Sequence, residues 1–236
     1  MGKGELTRQA ILERATALAS RVGLEGVTIG RLSEELGLSK SGLFAHFGAK
    51  QALEVEVLRF AADRFVDGVV RPALAARRGE PRVRAVFERW LAWDRSRVVP
   101  GGCLFVAAAT ELDDRPGPAR DELVRLQQDW LETMATCFRT GITEGHFRRD
   151  ADPEQFAHDL YGVMLGCHHA KRLMGDPAAE PRARAAFEAL LAAARRPSTL
   201  AGEKRARARR PRPATRARAG AQRAGRTGGR HEPGSS

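Results

Sequence analysis

The chain has 236 residues, 42% hydrophobic and 29% charged, enough apolar material for a packed core without staples. No run approaches the roughly 18 apolar residues of a membrane span and no signal-peptide stretch is visible, so membrane-spanning and secreted classes are not expected. Three scattered cysteines, Cys103, Cys137 and Cys167, form no CxxC pair, which argues against a zinc module and for a reducing cytoplasm.

The net charge of +11 is unevenly spread: residues 197–236 hold 11 basic and 2 acidic residues, and the remainder is near neutral at +2. The high pI therefore belongs to that segment and does not by itself mark a DNA-binding fold. With Leu200 as its only large apolar residue, the segment 197–236 is expected to be a disordered basic tail.

The remainder reads as helix throughout. Ile11, Ala15, Leu18 and Val22 share one helical face, closed by Gly23. Thr28 is a good N-cap for a short helix with Ile29, Leu32 and Leu36 inward, and Gly37 follows where a left-handed residue is wanted. Ser39 caps a third helix, Lys40 to about His46, and Lys50 opens a fourth carrying Leu53, Val57, Phe60, Ala61 and Phe65. Longer helices are expected over about 81–98, 101–112, 119–140, 153–173 and 181–195. The one over 101–112 is apolar all round in its middle, which suggests burial on every side. Asp152-Pro153-Glu154-Gln155 is a clear helix start.

The segment 28–50, TIGRLSEELGLSKSGLFAHFGAK, has the layout of a helix-turn-helix. Leu32, Leu36, Leu38 and Leu43 fall where the two helices must pack on each other. The second helix opens with Ser39, Lys40, Ser41 and Gly42, which are small, polar or cationic, as approach to a DNA groove requires. Gly42 costs about 1 kcal/mol in a helix relative to Ala, and a close approach of backbone to DNA would explain it.

In these residues the chain resembles the TetR family of transcriptional regulators. That family has a capping Thr, a Gly turn, a Ser-x-x-x-Leu-Tyr-x-His-Phe segment and a following Lys. Here they read Thr28, Gly37, Ser39, Leu43, Phe44, His46, Phe47 and Lys50. The match covers roughly residues 8–53. Phe44 departs from the family Tyr and lacks its phosphate-binding hydroxyl. The resemblance implies an all-α protein: an N-terminal helix-turn-helix domain over 1–49, then a larger helical ligand-binding and dimerisation domain over 50–196.

It also implies DNA binding by Thr28, Ser39, Lys40, Ser41, Gly42, Phe44, His46 and Lys50. Thr28 would hold a phosphate at a helix N-terminus, Lys50 would neutralise one, and Lys40 and Ser41 would face base edges. Each has a plainer alternative: a Ser or Thr can simply cap, Lys50 can be a solvated lysine, and His46 and Phe47 can be core. A second implication is an effector pocket, for which Trp90, Trp93, Phe105, Trp130, Met134, Phe138, Tyr161 and His168 are candidates. They suit an apolar or aromatic small molecule, although aromatics at helical spacing also fill cores. A third is a homodimer through the last two helices, with Phe156, Leu160, Val163, Cys167, Phe187, Leu190, Leu191 and Ala194 at the interface. These same faces could instead pack on the rest of their own domain.

The expected partners are double-stranded DNA with a near-palindromic operator, a small-molecule effector that releases a repressor from it, and a second copy of the chain. No cofactor and no metal are expected, because His158, Cys167, His168 and His169 are badly spaced for chelation. No catalytic motif such as GxSxG, Walker A, GxGxxG or HExxH occurs, so an enzyme is not expected. The competing reading is an architectural DNA binder of low specificity driven by the Arg-rich tail.

Overall fold

The computed structural model describes residues 3–195, with side chains from Arg8 onward. The basic segment 197–236, expected to be a disordered tail, lies outside the described residues.

The described residues form α-helices joined by short turns, with no strand beyond an isolated bridge between Phe147 and Arg195. In chain order the helices are α1 (Lys3–Val22), α2 (Ile29–Leu36), α3 (Lys40–Phe47), α4 (Lys50–Phe65), α5 (Arg71–Leu74), α6 (Glu80–Trp93), α7 (Leu104–Leu112), α8 (Pro118–Thr143), α9 (Pro153–Arg172) and α10 (Ala179–Ala194). The all-α class is as expected.

Local chemistry sets the ends. The hydroxyl of Thr28 accepts from the Arg31 N–H and that of Ser39 from the Gly42 N–H, so both act as N-caps. Gly37 terminates α2 at φ 63°, a left-handed conformation that costs glycine nothing. Asp152 caps α9 by accepting from the N–H groups of Glu154 and Gln155, with Pro153 at the first helical position.

α1, α2 and α3 make a small head around Ile11, Ala15, Leu18, Leu32 and Leu43, all buried. Two expected packing residues face outward instead, Val22 at 37% exposure and Leu38 at 36%. Leu38 follows the left-handed Gly37, which swings it out of the seam closed by Leu32 and Leu43.

The larger body is wound from α4 to α10. Three boundaries differ from expectation. Between Phe65 and Leu74 the chain stays helical, through one wide turn at Val66–Val70, where the sequence offered no reading. Pro72 cannot donate to the Gly68 carbonyl and its ring crowds it, and a widened turn relieves both. α6 stops at Trp93 rather than near 98, because Pro100 drives Val99 away from helical geometry and Asp94 turns inward. α7 begins at Leu104 rather than 101, since the Gly101-Gly102 backbone packs against α1 and α9. α7 is also not buried all round: Phe105, Val106, Ala107 and Ala109 are only half-buried, because one flank borders cavities.

Most of the expected dimer residues are used up within the chain. Phe156 stacks on Phe138 at 4.0 Å and Phe187 on Phe87 at 4.3 Å. Leu160, Cys167, Leu191 and Ala194 are buried beside them, and only Val163 and Leu190 are half-exposed. The apolar faces of α9 and α10 thus pack inward, because α8 and α6 present matching aromatics. Their outward faces carry small residues, Gly162 and Gly166 on α9 and Ala185, Ala186, Ala189 and Ala193 on α10, all exposed.

Candidate nucleic-acid interface and internal cavity

On the head, Thr28, Ser39, Lys40, Ser41, Gly42 and Phe44 are all exposed, Phe44 at 55%. α3 packs on α2 through buried Leu43, which leaves its first turn in solvent. A Cβ built on Gly30 would have the Lys40 ammonium and the Thr28 hydroxyl both 3.9 Å away. An ammonium, a hydroxyl and a helix N-terminus therefore gather in one place, the arrangement that holds a phosphate. Capping does not use up the hydroxyls. Thr28 and Ser39 each accept from an N–H, and a hydroxyl that accepts can still donate. The Ser39 and Ser41 oxygens lie 3.2 Å apart, so one donates to the other. A Cβ on Gly42 would meet nothing but the Ser39 hydroxyl, leaving that turn open for close approach.

Two residues of the set sit differently. The Lys50 ammonium donates to the Glu25 carbonyl at 3.1 Å and lies 3.7 Å from the Glu54 carboxylate. It thus braces the α1–α2 turn while its side chain remains exposed. His46 is half-buried with its ring 6.2 Å from that of Phe47, and Phe47 itself is core.

A cavity of about 140 Å³ lies between α4, α6, α7, α8 and α9. Of the expected ligand residues, Trp90, Phe105, Trp130 and Tyr161 line it. Phe65 lines it too, with Phe105 edge-on at 5.7 Å and Trp130 at 4.8 Å. The other four expected residues do not reach it. Trp93 packs edge-on against Phe65 at 5.4 Å, and Met134 is buried elsewhere in the core. Phe138 is stacked between Phe147 and Phe156, and His168 turns to Asp94. For Trp93, Phe138 and His168 a partner ring or carboxylate claims the side chain first.

The polar groups of the cavity are few. The Tyr161 hydroxyl donates to Gln127 Oε1, and Gln127 Nε2 donates to the Phe105 carbonyl at 3.3 Å. Burial pushes the Tyr161 phenol up to about 12 and the Cys103 thiol up to about 11, so both stay protonated at neutral pH. The indole N–H of Trp130 is buried without an acceptor among the described residues. No group of three His, Cys, Asp or Glu placed to hold a metal ion occurs among the described residues.

Head and body are tied through α7, and sequence reasoning missed the residues that tie them. Glu111, near the end of α7, accepts from the backbone N–H of Leu24 at 3.2 Å and of Glu25 at 3.0 Å, in the turn between α1 and α2. The Gly101 N–H donates to the Ser20 hydroxyl, and a Cβ there would stand 1.7 Å from the Ser20 carbonyl oxygen, so only glycine fits. At the start of α7, Asp94 Oδ1 accepts from the Cys103 N–H at 3.1 Å and from His168 at 2.9 Å, and Oδ2 pairs with Lys171 at 2.9 Å. Burial alone would raise the Asp94 carboxyl, but the hydrogen bonds from His168 and Lys171 outweigh it and bring it down to about 2. The available signal was Glu111 as the lone acid of LFVAAATEL, and Asp94 ending an aromatic helix.

Comparison with known proteins adds to this geometry. Residues 11–57 match the family model described as bacterial regulatory proteins, tetR family, and residues 79–187 that of the tetracyclin repressor-like C-terminal domain. The HTH-type transcriptional repressor DhaR of Mycobacterium sp. (strain GP1) is 25% identical over 162 residues, 67% of this chain and 79% of that protein. A TetR transcriptional regulator from Chloroflexus aurantiacus superposes with TM-score 0.73 at 25% identity, over 81% of this chain and 96% of that one. AibR, solved in complex with isovaleryl coenzyme A and operator DNA, shares the fold with TM-score 0.60 at 22% identity, over 75% of this chain and 94% of that one.

Proposed function

The chain belongs to the TetR family of helix-turn-helix transcriptional regulators, and on that premise we propose that it is a repressor released from its operator by a small apolar or aromatic effector. One observation carries the reading: α7 borders the cavity at Phe105 and Val106 and holds the head at Glu111. A molecule that enters the cavity must move Phe105 or its neighbours, and a rigid two-and-a-half-turn helix passes that movement to the α1–α2 turn.

The head binds DNA through Thr28, Ser39, Lys40, Ser41 and Phe44. Thr28 and the backbone N–H groups at the start of α2 hold phosphate, while Lys40 and Ser41 offer donors to base edges in the major groove. Gly42 allows the backbone close, and the Phe44 ring lies on the sugar–phosphate chain. Lys50 and His46 act from behind by fixing the turn and the small core.

One such head reads few bases, so the working unit is a homodimer on a near-palindromic operator. The exposed glycine and alanine faces of α9 and α10 form its interface, because small side chains let four helices approach closely. Effector and operator then compete by linkage: whatever the effector gains from the displaced head arrangement, DNA affinity loses. AibR, of the same fold, was solved with isovaleryl coenzyme A and operator DNA together, so in that protein a small molecule and an operator are both bound.

A gel shift on the DNA upstream of its own gene, at about 150 mM salt with excess competitor, tests the reading. A discrete complex that survives competitor and carries two chains supports it. Complexes that dissolve with competitor, on that fragment and on a pool of random fragments, contradict it.

A further inference from the structure

Two apolar volumes lie side by side along the seam of α7 and α8. The inner one is the cavity just described. The outer one is a groove of about 270 Å³, walled by Ala109 and Leu112 of α7 and by Leu123, Val124 and Leu131 of α8. Gln127 lines both, and no other residue among those described does so. It is an amide set between apolar neighbours, Leu123, Leu126 and Trp130, on the same helix. It is held in place from both sides, by the Tyr161 hydroxyl on α9 and the Phe105 carbonyl on α7.

We infer that Gln127 is a partition across a single two-part effector site, and that the effector is an elongated molecule with one uncharged apolar block in the cavity, a second block in the groove and a polar atom between them. This rests on the reading of the cavity as an effector site. The shape follows from the two volumes and their common boundary. The lack of charge on the inner block follows from the walls of the cavity. The only ionised side chain on the inner volume is Asp129, exposed and already paired with Arg125 at 2.8 Å. The outer groove, by contrast, is lined by Asp113 and Arg120, so it does not exclude a charge. A charge carried into the inner volume would find no free partner there.

The polar atom follows from what happens when Gln127 swings aside. The Tyr161 hydroxyl loses its acceptor, and leaving such a group unpaired in an apolar site is costly. A ligand oxygen or nitrogen at the boundary restores that bond. The Trp130 indole N–H, buried without an acceptor on the cavity wall, is a second group such a ligand could satisfy after a small shift. Opening the partition also cuts the hydrogen bond that ties α8 to α7, the helix that holds the head.

Calorimetric titration of the full chain with two probes tests this. Phenol fills the inner volume alone, and N-phenyl-1-naphthylamine spans both. In Gln127→Ala the longer probe should bind about tenfold more tightly, because no tie has to be broken, while phenol changes less than about twofold. In Val124→Glu, a charge placed in the groove at a position already exposed, the longer probe should weaken about tenfold or more and phenol should not. Equal shifts of both probes in Gln127→Ala, indifference of the longer probe to Val124→Glu, or no binding of either probe overturns the inference. Should Gln127→Ala fail to fold, Val124→Glu decides alone. Should the probe pattern hold while operator affinity ignores the bound probe, the effector reading fails and the two-part site stands.

Discussion

The head and the cavity solve opposite problems with the same kind of helix. In the head, the residues that matter stand in solvent: Lys40, Ser41 and Phe44 are exposed and touch little, so they are free to meet a charged partner. In the cavity, Phe65 and Trp130 pack edge-on, the Tyr161 hydroxyl is paired internally, and the Trp130 indole N–H lacks a partner among the described residues. Binding DNA demands donors that cost nothing to leave in water. Binding an apolar effector demands a wall rigid enough to stay open. The consequence is that head variants should change affinity without changing stability, whereas cavity variants should change both.

Trp90→Ala should break this division most heavily. Trp90 is 1% exposed and lines the cavity, so its loss should cost about 3–5 kcal/mol of stability, seen as a large fall in Tm. Next comes Lys40→Ala, which should weaken specific operator binding by about 1–3 kcal/mol while leaving Tm unchanged, measurable by fluorescence anisotropy alongside thermal melts.

The Asp94 latch, which joins the end of α6 to the start of α7 and to α9 within the body, should show in acid. Its folded carboxyl sits at about 2, below the ordinary value near 3.8, so its stabilisation is present above that ordinary value and is lost as pH falls through about 4 toward 2. The amount is at most about 2.5 kcal/mol. Thermal melts between pH 6 and pH 2.5 should fall more steeply for the native chain than for Asp94→Asn. The smallest effect is expected from Phe44→Tyr. At an exposed position the added hydroxyl should tighten DNA binding by about 0.5–1.5 kcal/mol and leave stability untouched.

How far the sequence could be read divides along the same line. The head is one contiguous stretch in which caps, the Gly37 turn and the Leu32–Leu43 seam are all local, and local chemistry is what a sequence displays. The cavity is assembled from residues near positions 65, 90, 105, 130 and 161. Trp90 lines the cavity and Trp93 stands behind Phe65, although both lie on one helix three residues apart. The choice depends on how α6 is rotated, which the inward turn of Asp94 helps to set. The last two helices follow the same logic. Their apolar stripes are plain in sequence, but whether Phe156 and Phe187 meet a second chain or their own depends on Phe138 and Phe87, far away along it. Glu111 and Gln127 were legible only as polar residues interrupting apolar stretches, without any indication of what they hold.

The central claim is that occupancy of the cavity reaches the head through α7. Hydrogen exchange at the Leu24 and Glu25 amides, which the Glu111 carboxylate accepts, reads that connection without needing the operator. With N-phenyl-1-naphthylamine bound at saturation, the account predicts faster exchange at these two amides than in the free chain, and no such change in Glu111→Ala. Unchanged exchange in the native chain, with the probe demonstrably bound in the cavity, would contradict it.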